Sequence, residues 1–330
     1  MLKFELDIIE DDILNWNKDI LKILLEDKTS KKNILWACEG YPFSPVEEIQ
    51  IASITKEYSK LIQPRIYKNS GIRDNRTKIN AEVFTPSWVC NKQNNIIDEA
   101  WFNRKETFNI ELDEGNWECN REKVEFPKGK NWQQYVDLRR IEISCGEAPY
   151  LVSRYDTTTG KIIPLNDRIG ILDRKLRVIN ENTNDKDTWF YWTIRAYQSV
   201  YGYEYQGDNL LLARENLLVS FIEYYYERFN KDPDIRDLKK IANIISWNIF
   251  QMDATRYIIP DASLEKREYE LLNLSKYDKK NFRFGKRYEQ LSLFGDLEFE
   301  DKDNNDGEKY CIIKNWRANK VLEFRKLVNR

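Results

Sequence analysis

The amino-acid sequence predicts an α/β protein built on an open, mostly parallel sheet. Three short stretches with a strand-like pattern carry an acid at or near their ends: Glu142 after Ile141, Glu204 in Tyr201 to Tyr205, and Asp253 after Ile249 to Met252. Long stretches of helical periodicity separate them. Strands that alternate with helices pair in parallel, because the helix carries the chain back across the sheet. Acids at successive strand ends then line the crevice at the carboxyl edge of such a sheet.

Each element has its own signal. Residues 1–38 read as helical, since Ile9, Ile13, Trp16, Ile20, Ile23 and Leu24 recur at helical spacing. Residues 39–45 form a turn rich in Pro and aromatic side chains. Ala81 to Pro86 opens a helix toward Trp101, with Thr85 as N-cap and Pro86 as first helical residue. Residues 102–135 are an insertion, with short strands over 108–112 and 124–126 and turns at Gly115 and at Pro127 to Lys130. After Glu142 comes the turn-forming Cys145-Gly146-Glu147-Ala148, and Tyr150, Leu151 and Val152 begin a helix. Further helices are expected over 166–180 and 187–200, from Asn209 to about Phe229, and from Asp232-Pro233 through Ile245. Residues 261–308 are highly charged and read as a loop, and Tyr310 to Trp316 is a last strand before a basic tail. The expected organisation is a mainly helical region over 1–80, a core over 81–260, and a charged loop plus strand over 261–330 that completes the core.

Composition limits the chemistry. At 330 residues, 41% apolar and 33% charged, the chain suits a globular protein with a sizeable core. No apolar run approaches a membrane span, and Met1 to Asp7 lacks the basic-then-apolar order of a secretory signal. Five scattered cysteines without a Cys-x-x-Cys pair imply reduced thiols and a cytoplasmic setting. The chain has no histidine, which removes Ser-His and Cys-His nucleophiles and His-ligated zinc. Carboxylates, amides, Lys, Tyr, Cys or a cofactor remain, and no metal is expected. A net charge of −2 does not announce a nucleic-acid partner, so DNA contact needs local patches. Lys56 to Lys78 is one such patch, with Arg73, Arg76 and Lys78 its candidate DNA-binding residues; a solvated basic face reads equally well from the same stretch.

Glu142 stands where a carboxylate meets an amine or hydroxyl, Glu204 where one holds two ribose hydroxyls, and Asp253 where one meets an adenine amine. A nucleoside-bearing cofactor suits that set. In their order along the chain, these motifs resemble the adenine-N6 DNA methyltransferases of restriction–modification systems. Ala81 to Pro86 is similar to their N-terminal cofactor motif, through Phe84, Thr85 and Pro86. Glu142 to Leu151, with Cys145 and Gly146 at the turn, is similar to the glycine motif that binds the methionine part of S-adenosylmethionine (SAM). Tyr203-Glu204, preceding Ala213 to Leu217, is similar to the ribose-binding strand, and Asn248 to Ala254 to the adenine-binding motif. The resemblance spans roughly 81–254 and is most specific to bacterial M-subunit-like proteins. It implies a SAM-methyltransferase-like, Rossmann-type sheet, with SAM as cofactor and DNA as partner. It also implies a separate specificity, catalytic or nuclease subunit.

Two departures qualify what the resemblance implies. Ala148-Pro149 stands where the motif has a second glycine. The catalytic Asn/Asp-Pro-Pro-aromatic signature is absent, and no Pro-Pro occurs in the chain. Asn315 and Trp316, at the end of the last expected strand, are the catalytic candidates: an amide acceptor and a base-stacking ring. They equally suit an ordinary strand end. With the chain ending at Arg330, the sheet is expected to be truncated. Two functions therefore stand. One is a DNA adenine-N6 methyltransferase-like component of a restriction–modification or related defence system, binding SAM and DNA. The other is a non-catalytic relative acting as a partner subunit or as a decoy. Either way, the four expected strands should be neighbours, and Thr85, Gly146, Glu204 and Asp253 should line one pocket.

Overall fold

The computed structural model describes residues 6–8, 10–68, 84–260 and 309–328. The chain opens with α1 (Glu10–Trp16) and α2 (Lys18–Leu25). The Asn17 side chain caps α2 by accepting the Asp19 N–H at 2.9 Å. The helical reading of 1–38 therefore stops early. Glu26 leaves helical geometry, and Asp27 accepts the Ser30 N–H, which turns the chain back on itself.

Next come α3 (Ser87–Phe102), the hairpin β1 (Asn109–Glu111) and β2 (Trp117–Cys119), and α4 (Trp132–Val136). The insertion does hold a two-stranded sheet, but its second strand is 117–119 rather than 124–126. Gly115 makes the hairpin, because its backbone has a φ of +76° and a Cβ there would lie 2.9 Å from the Trp88 ring.

Three strands follow, β3 (Arg140–Glu142), β4 (Val200–Glu204) and β5 (Ile249–Gln251). They form one parallel sheet in the order β3-β4-β5, with Glu142 opposite Gly202 and Glu204 opposite Gln251. The crossovers are helical, as parallel pairing requires. α5 (Ile171–Asn182) and α6 (Lys186–Ser199) join β3 to β4, and α7 (Gly207–Phe229) and α8 (Ile235–Asn248) join β4 to β5. Every residue of α7 from Gly207 to Ile222 is buried, so this helix runs through the middle of the molecule rather than along its surface. It ends at Asn230, whose left-handed backbone (φ 51°) is an ordinary asparagine helix stop.

One apolar cluster joins Ile20, Leu21 and Leu24 of α2 to Leu210, Leu217 and Phe221 of α7 and Ile241 and Ile245 of α8. The N-terminal helices thus pack into the same core as the crossovers. A smaller cluster covers the sheet itself, where Tyr201, Tyr203 and Phe250 meet Cys311, Ile313 and Phe324. Ile313 belongs to the hairpin of β6 (Ile312–Asn315) and β7 (Lys320–Glu323), and Cys311 and Phe324 flank it.

That hairpin corrects the sheet expected from sequence. Three of the four expected strands are parallel neighbours, but β6 pairs antiparallel with β7 in a separate two-stranded sheet. The reason is local. Residues 316–319 form a tight turn, with Asn319 at a φ of 48°, that folds the strand onto its successor. A second correction concerns Tyr150 to Val152, which begin no helix. Pro149 has no N–H, Ala148 takes a left-handed backbone (φ 62°), and the chain runs on irregularly to α5. The fold is a mixed α/β structure with small sheets.

The tightest helix–loop contact is at Gly207, the first residue of α7. Its N–H donates to the Trp36 carbonyl at 2.9 Å, and a Cβ there would fall 1.9 Å from the Leu35 carbonyl oxygen. A Gly207→Ala variant must push the 35–36 segment away, at a cost of about 1–3 kcal/mol. A lowered urea midpoint with an unchanged m-value is the expected result of equilibrium unfolding.

Candidate functional site at the carboxyl edge of the parallel sheet

β3 ends on Glu142, opposite Gly202, and β4 ends two residues further on at Glu204; both side chains are buried. The chain leaves β3 through a turn in which Ser144, Gly146 and Ala148 all adopt left-handed backbone, with φ of 47°, 52° and 62°. Glycine takes that conformation freely, whereas Ser and Ala rarely do. The conformation at Ala148 is one that suits the glycine of the resembled motif.

The two carboxylates hold this turn in place. Glu142 accepts the Tyr150 N–H at 3.2 Å and the Leu151 N–H at 3.1 Å, tying the far end of the turn to the strand end. Glu204 accepts the Gly146 N–H at 2.8 Å with one oxygen, and the Tyr205 and Gln206 N–H groups at 3.0 and 3.1 Å with the other. Burial pushes the Glu142 carboxyl up to about 8, with the Glu204 charge adding to the rise and the two backbone donors opposing it. Burial also raises Glu204, against its three backbone donors. Cys145 extends the β3–β4 ladder by donating its N–H to the Tyr203 carbonyl at 2.8 Å. Burial, then Glu142 and Glu204, drive its thiol upward, so it is no ready nucleophile.

The N-terminal motif reaches this turn. A Cβ on Gly146 would sit 3.7 Å from the Phe84 ring, so the ring lies on the turn, and the Arg65 guanidinium sits 5.0 Å from the centre of that ring. Thr85 does not cap α3 as expected. The helix starts at Ser87, Pro86 holds the cap position, and the Asp156 carboxylate accepts the Ser87 N–H at 2.7 Å. Burial would raise Asp156, but hydrogen bonds from Thr158, Ser87 and Thr159 take it down to about 2. The Thr85 carbonyl instead accepts the Thr157 hydroxyl at 3.1 Å.

Phe84, Glu142, Cys145, Gly146 and Glu204 therefore come together, with Thr85 and Pro86 adjoining. Asp253 lies in the turn after β5, one strand beyond Glu204, where the Met252 N–H donates to the Glu204 carbonyl at 3.0 Å, and its side chain accepts the Thr255 N–H and hydroxyl at 2.8 and 2.6 Å. Asn315 and Trp316 lie at the opposite end of the sheet. They share a small pocket with Arg139, Gln198 and Ser199, at the amino ends of β3 and β4. The Trp316 indole donates to Asn248 at 2.7 Å, and the Asn315 side chain accepts the Ala318 N–H at 3.2 Å. The length of β4, roughly 13 Å, separates them from Glu204. Arg73, Arg76 and Lys78 fall outside the described residues.

Sequence reading missed what covers this edge. The Gln251 side chain bonds the Leu35 N–H at 2.8 Å, the Leu35 carbonyl at 2.9 Å and the Tyr205 carbonyl at 2.8 Å. Asp208, fully buried, binds the Lys68 ammonium and the Tyr41 hydroxyl, each at 2.7 Å. Residues 35–41 thus sit over the carboxyl ends of β4 and β5. An uncharged amide at a strand end, Gln251, was the available signal. Comparisons of the chain with protein-family models, with curated proteins and with solved structures gave no match.

Between the ordinary carboxyl value of 4.5 and about 8, the folded chain holds a proton on Glu142 that the unfolded chain has lost. The stability tied to that proton is complete below the lower value and is lost as pH rises through the upper one. Thermal unfolding followed from about pH 5 to pH 8 should show a smaller decline for Glu142→Gln than for the wild type. Parallel declines would remove the assignment.

Proposed function

We propose that this chain is a methyltransferase-like component of a restriction–modification or related defence system, that it takes SAM at the Glu142–Gly146–Glu204 turn, and that it does not transfer the methyl group by itself. The observation that carries the reading is the convergence of two buried strand-end carboxylates on one left-handed glycine turn, with the Phe84 ring against it. The chemistry of this donor set fits the cofactor. The Glu204 oxygen that takes the Gly146 N–H retains one acceptor site, suited to a ribose hydroxyl, and each oxygen of Glu142 retains one, suited to an amine. SAM itself would supply an activated methyl on a sulfonium.

Two observations favour the non-catalytic form of this reading. Asn315 and Trp316 stand at the amino end of the sheet, occupied by Ala318 and Asn248. Residues 35–41 lie over β5, where the resemblance puts the adenine. DNA is the partner that the reading implies, with methyl transfer left to another subunit.

Calorimetric titration with SAM and with its demethylated product tests the cofactor half. Glu204→Ala should weaken binding by about 1–3 kcal/mol, the value of hydrogen bonds to a charged acceptor. Binding that is absent in the wild type, or unchanged in the variant, would remove the site. Labelled SAM with DNA of many sequences tests the other half. No transfer is expected from the chain alone, and robust transfer that Asn315→Ala abolishes would overturn the non-catalytic reading.

A further inference from the structure

A cationic groove lies on the face of the molecule built by α2, the 31–33 turn and the 50–57 segment. It encloses about 1290 Å³, and Lys18, Lys22, Lys31, Lys32 and Lys56 line it against only two acids, Glu26 and Glu57. All five lysines are exposed. Glu26 is engaged by Lys28 at 2.5 Å, and Lys32 stands 3.9 Å from Glu48. The other four lysines make no carboxylate ion pair among the described residues. The floor is apolar, with Leu14, Ile23 and Ile51, so the ammonium groups stand around a low-dielectric surface that focuses their field.

The positive potential continues beyond the groove through interleaved aromatic rings. The Lys31 ammonium lies 5.1 Å from the centre of the Trp247 ring, and Lys314 lies 5.7 Å from the same ring. Lys314 also lies 4.3 Å from the Trp316 ring, whereas Arg317 beyond it pairs with Asp137 at 3.5 Å. Lys31 and Lys314 are held in place by ring faces without losing their charge. Lys18 and Lys22 are one helical turn apart, roughly 5–6 Å, so both reach one stretch of a regularly charged strand.

We infer that this groove, continued along the Lys31–Trp247–Lys314–Trp316 ladder, is a docking surface for the phosphate backbone of DNA. The inference supplies a surface for the DNA partner of the proposed function and rests on that reading for the choice of polyanion. It rests on lysines of the described residues, outside which Arg73, Arg76 and Lys78 fall. Lysines act here as point charges on phosphate, which gives affinity without base recognition, and a separate subunit would read the sequence.

The test is fluorescence anisotropy of the full chain with a labelled 24-bp duplex, about that length being enough for several phosphate contacts, titrated over about 50 to 200 mM salt. Neutralising Lys18, Lys22, Lys31 and Lys56 together to Gln alters only exposed groups, so an unchanged thermal midpoint certifies the fold. Four lost phosphate contacts should reduce the slope of log K against log salt by about 3–4 and weaken binding at least tenfold at the lowest salt. A slope equal to that of the wild type would place the footprint elsewhere and overturn the inference. A wild-type chain that binds no duplex would overturn it too. In that case SAM calorimetry shows independently whether the cofactor site stands.

Discussion

Arg214 is fully buried, and among the described residues it makes no ion pair. Its guanidinium is given over to main-chain carbonyls: Ile249 at 2.8 Å, Glu26 at 3.1 Å, Ser246 at 3.3 Å, and Leu24. Leu24 and Ser246 lie in the last turns of α2 and α8, where carbonyls lack helical partners and the helix dipole is negative. Ile249 begins β5. One side chain from α7 therefore gathers two helix ends and the start of the third strand. Burial takes its pKa down to about 10, with Asp27 and Glu26 nearby opposing the fall, so it stays charged at neutral pH. Replacing it with an apolar side chain would strand several buried acceptors, each costing about 1–3 kcal/mol. The position of β5 beside β4, and with it the geometry of the carboxyl edge, depends on this fork.

The same economy of partners governs the edge. Among the described residues neither Glu142 nor Glu204 is paired with a cation; they accept backbone N–H groups of the intervening turn and of residues 205 and 206. Two carboxyls in adjacent strands without a cation must share the strain of burial, and the rise in both pKa values is its expression. Such a pair is poorly satisfied unless protonated or supplied with further donors. In the proposed function, hydroxyl or amine groups of a ligand are those donors. Gly202 allows the arrangement, since a Cβ there would press to 3.2 Å on the Cys145 sulfur that backs the turn.

Much of this was legible in the sequence because local patterns set it. The periodicity of Leu210, Leu217 and Phe221 marked α7, and acids near strand ends marked the crevice edge. What was not legible depended on contacts distant in sequence. The N-cap preference of Thr85 lost to a carboxylate from Asp156, 69 positions from the Ser87 N–H that it accepts. The strand at 312–315 was recognisable, but its partner was decided by the turn at 316–319 and by the aromatic face of Tyr201 and Phe250 that the hairpin covers. Ile141 and Ile143 alternate as a strand should, yet they are 42% and 69% exposed, so the alternation identified the element while reversing its buried face onto Glu142. The lysine groove was invisible for a related reason. Its charges come from three segments, and none of them alone exceeds what a solvated face would carry.

The proposed function puts a nucleoside-bearing ligand at the turn between Glu142 and Leu151, with the β4 end at Glu204 to Asp208. Amide hydrogen exchange with and without the demethylated product of SAM tests it most directly, because it reports location as well as affinity. Added protection is expected at 143–151 and 204–208, with residues 35–41 altered alongside them and 312–323 unchanged. Protection confined to the hairpin at 312–323, or no change anywhere at saturating ligand, would contradict it.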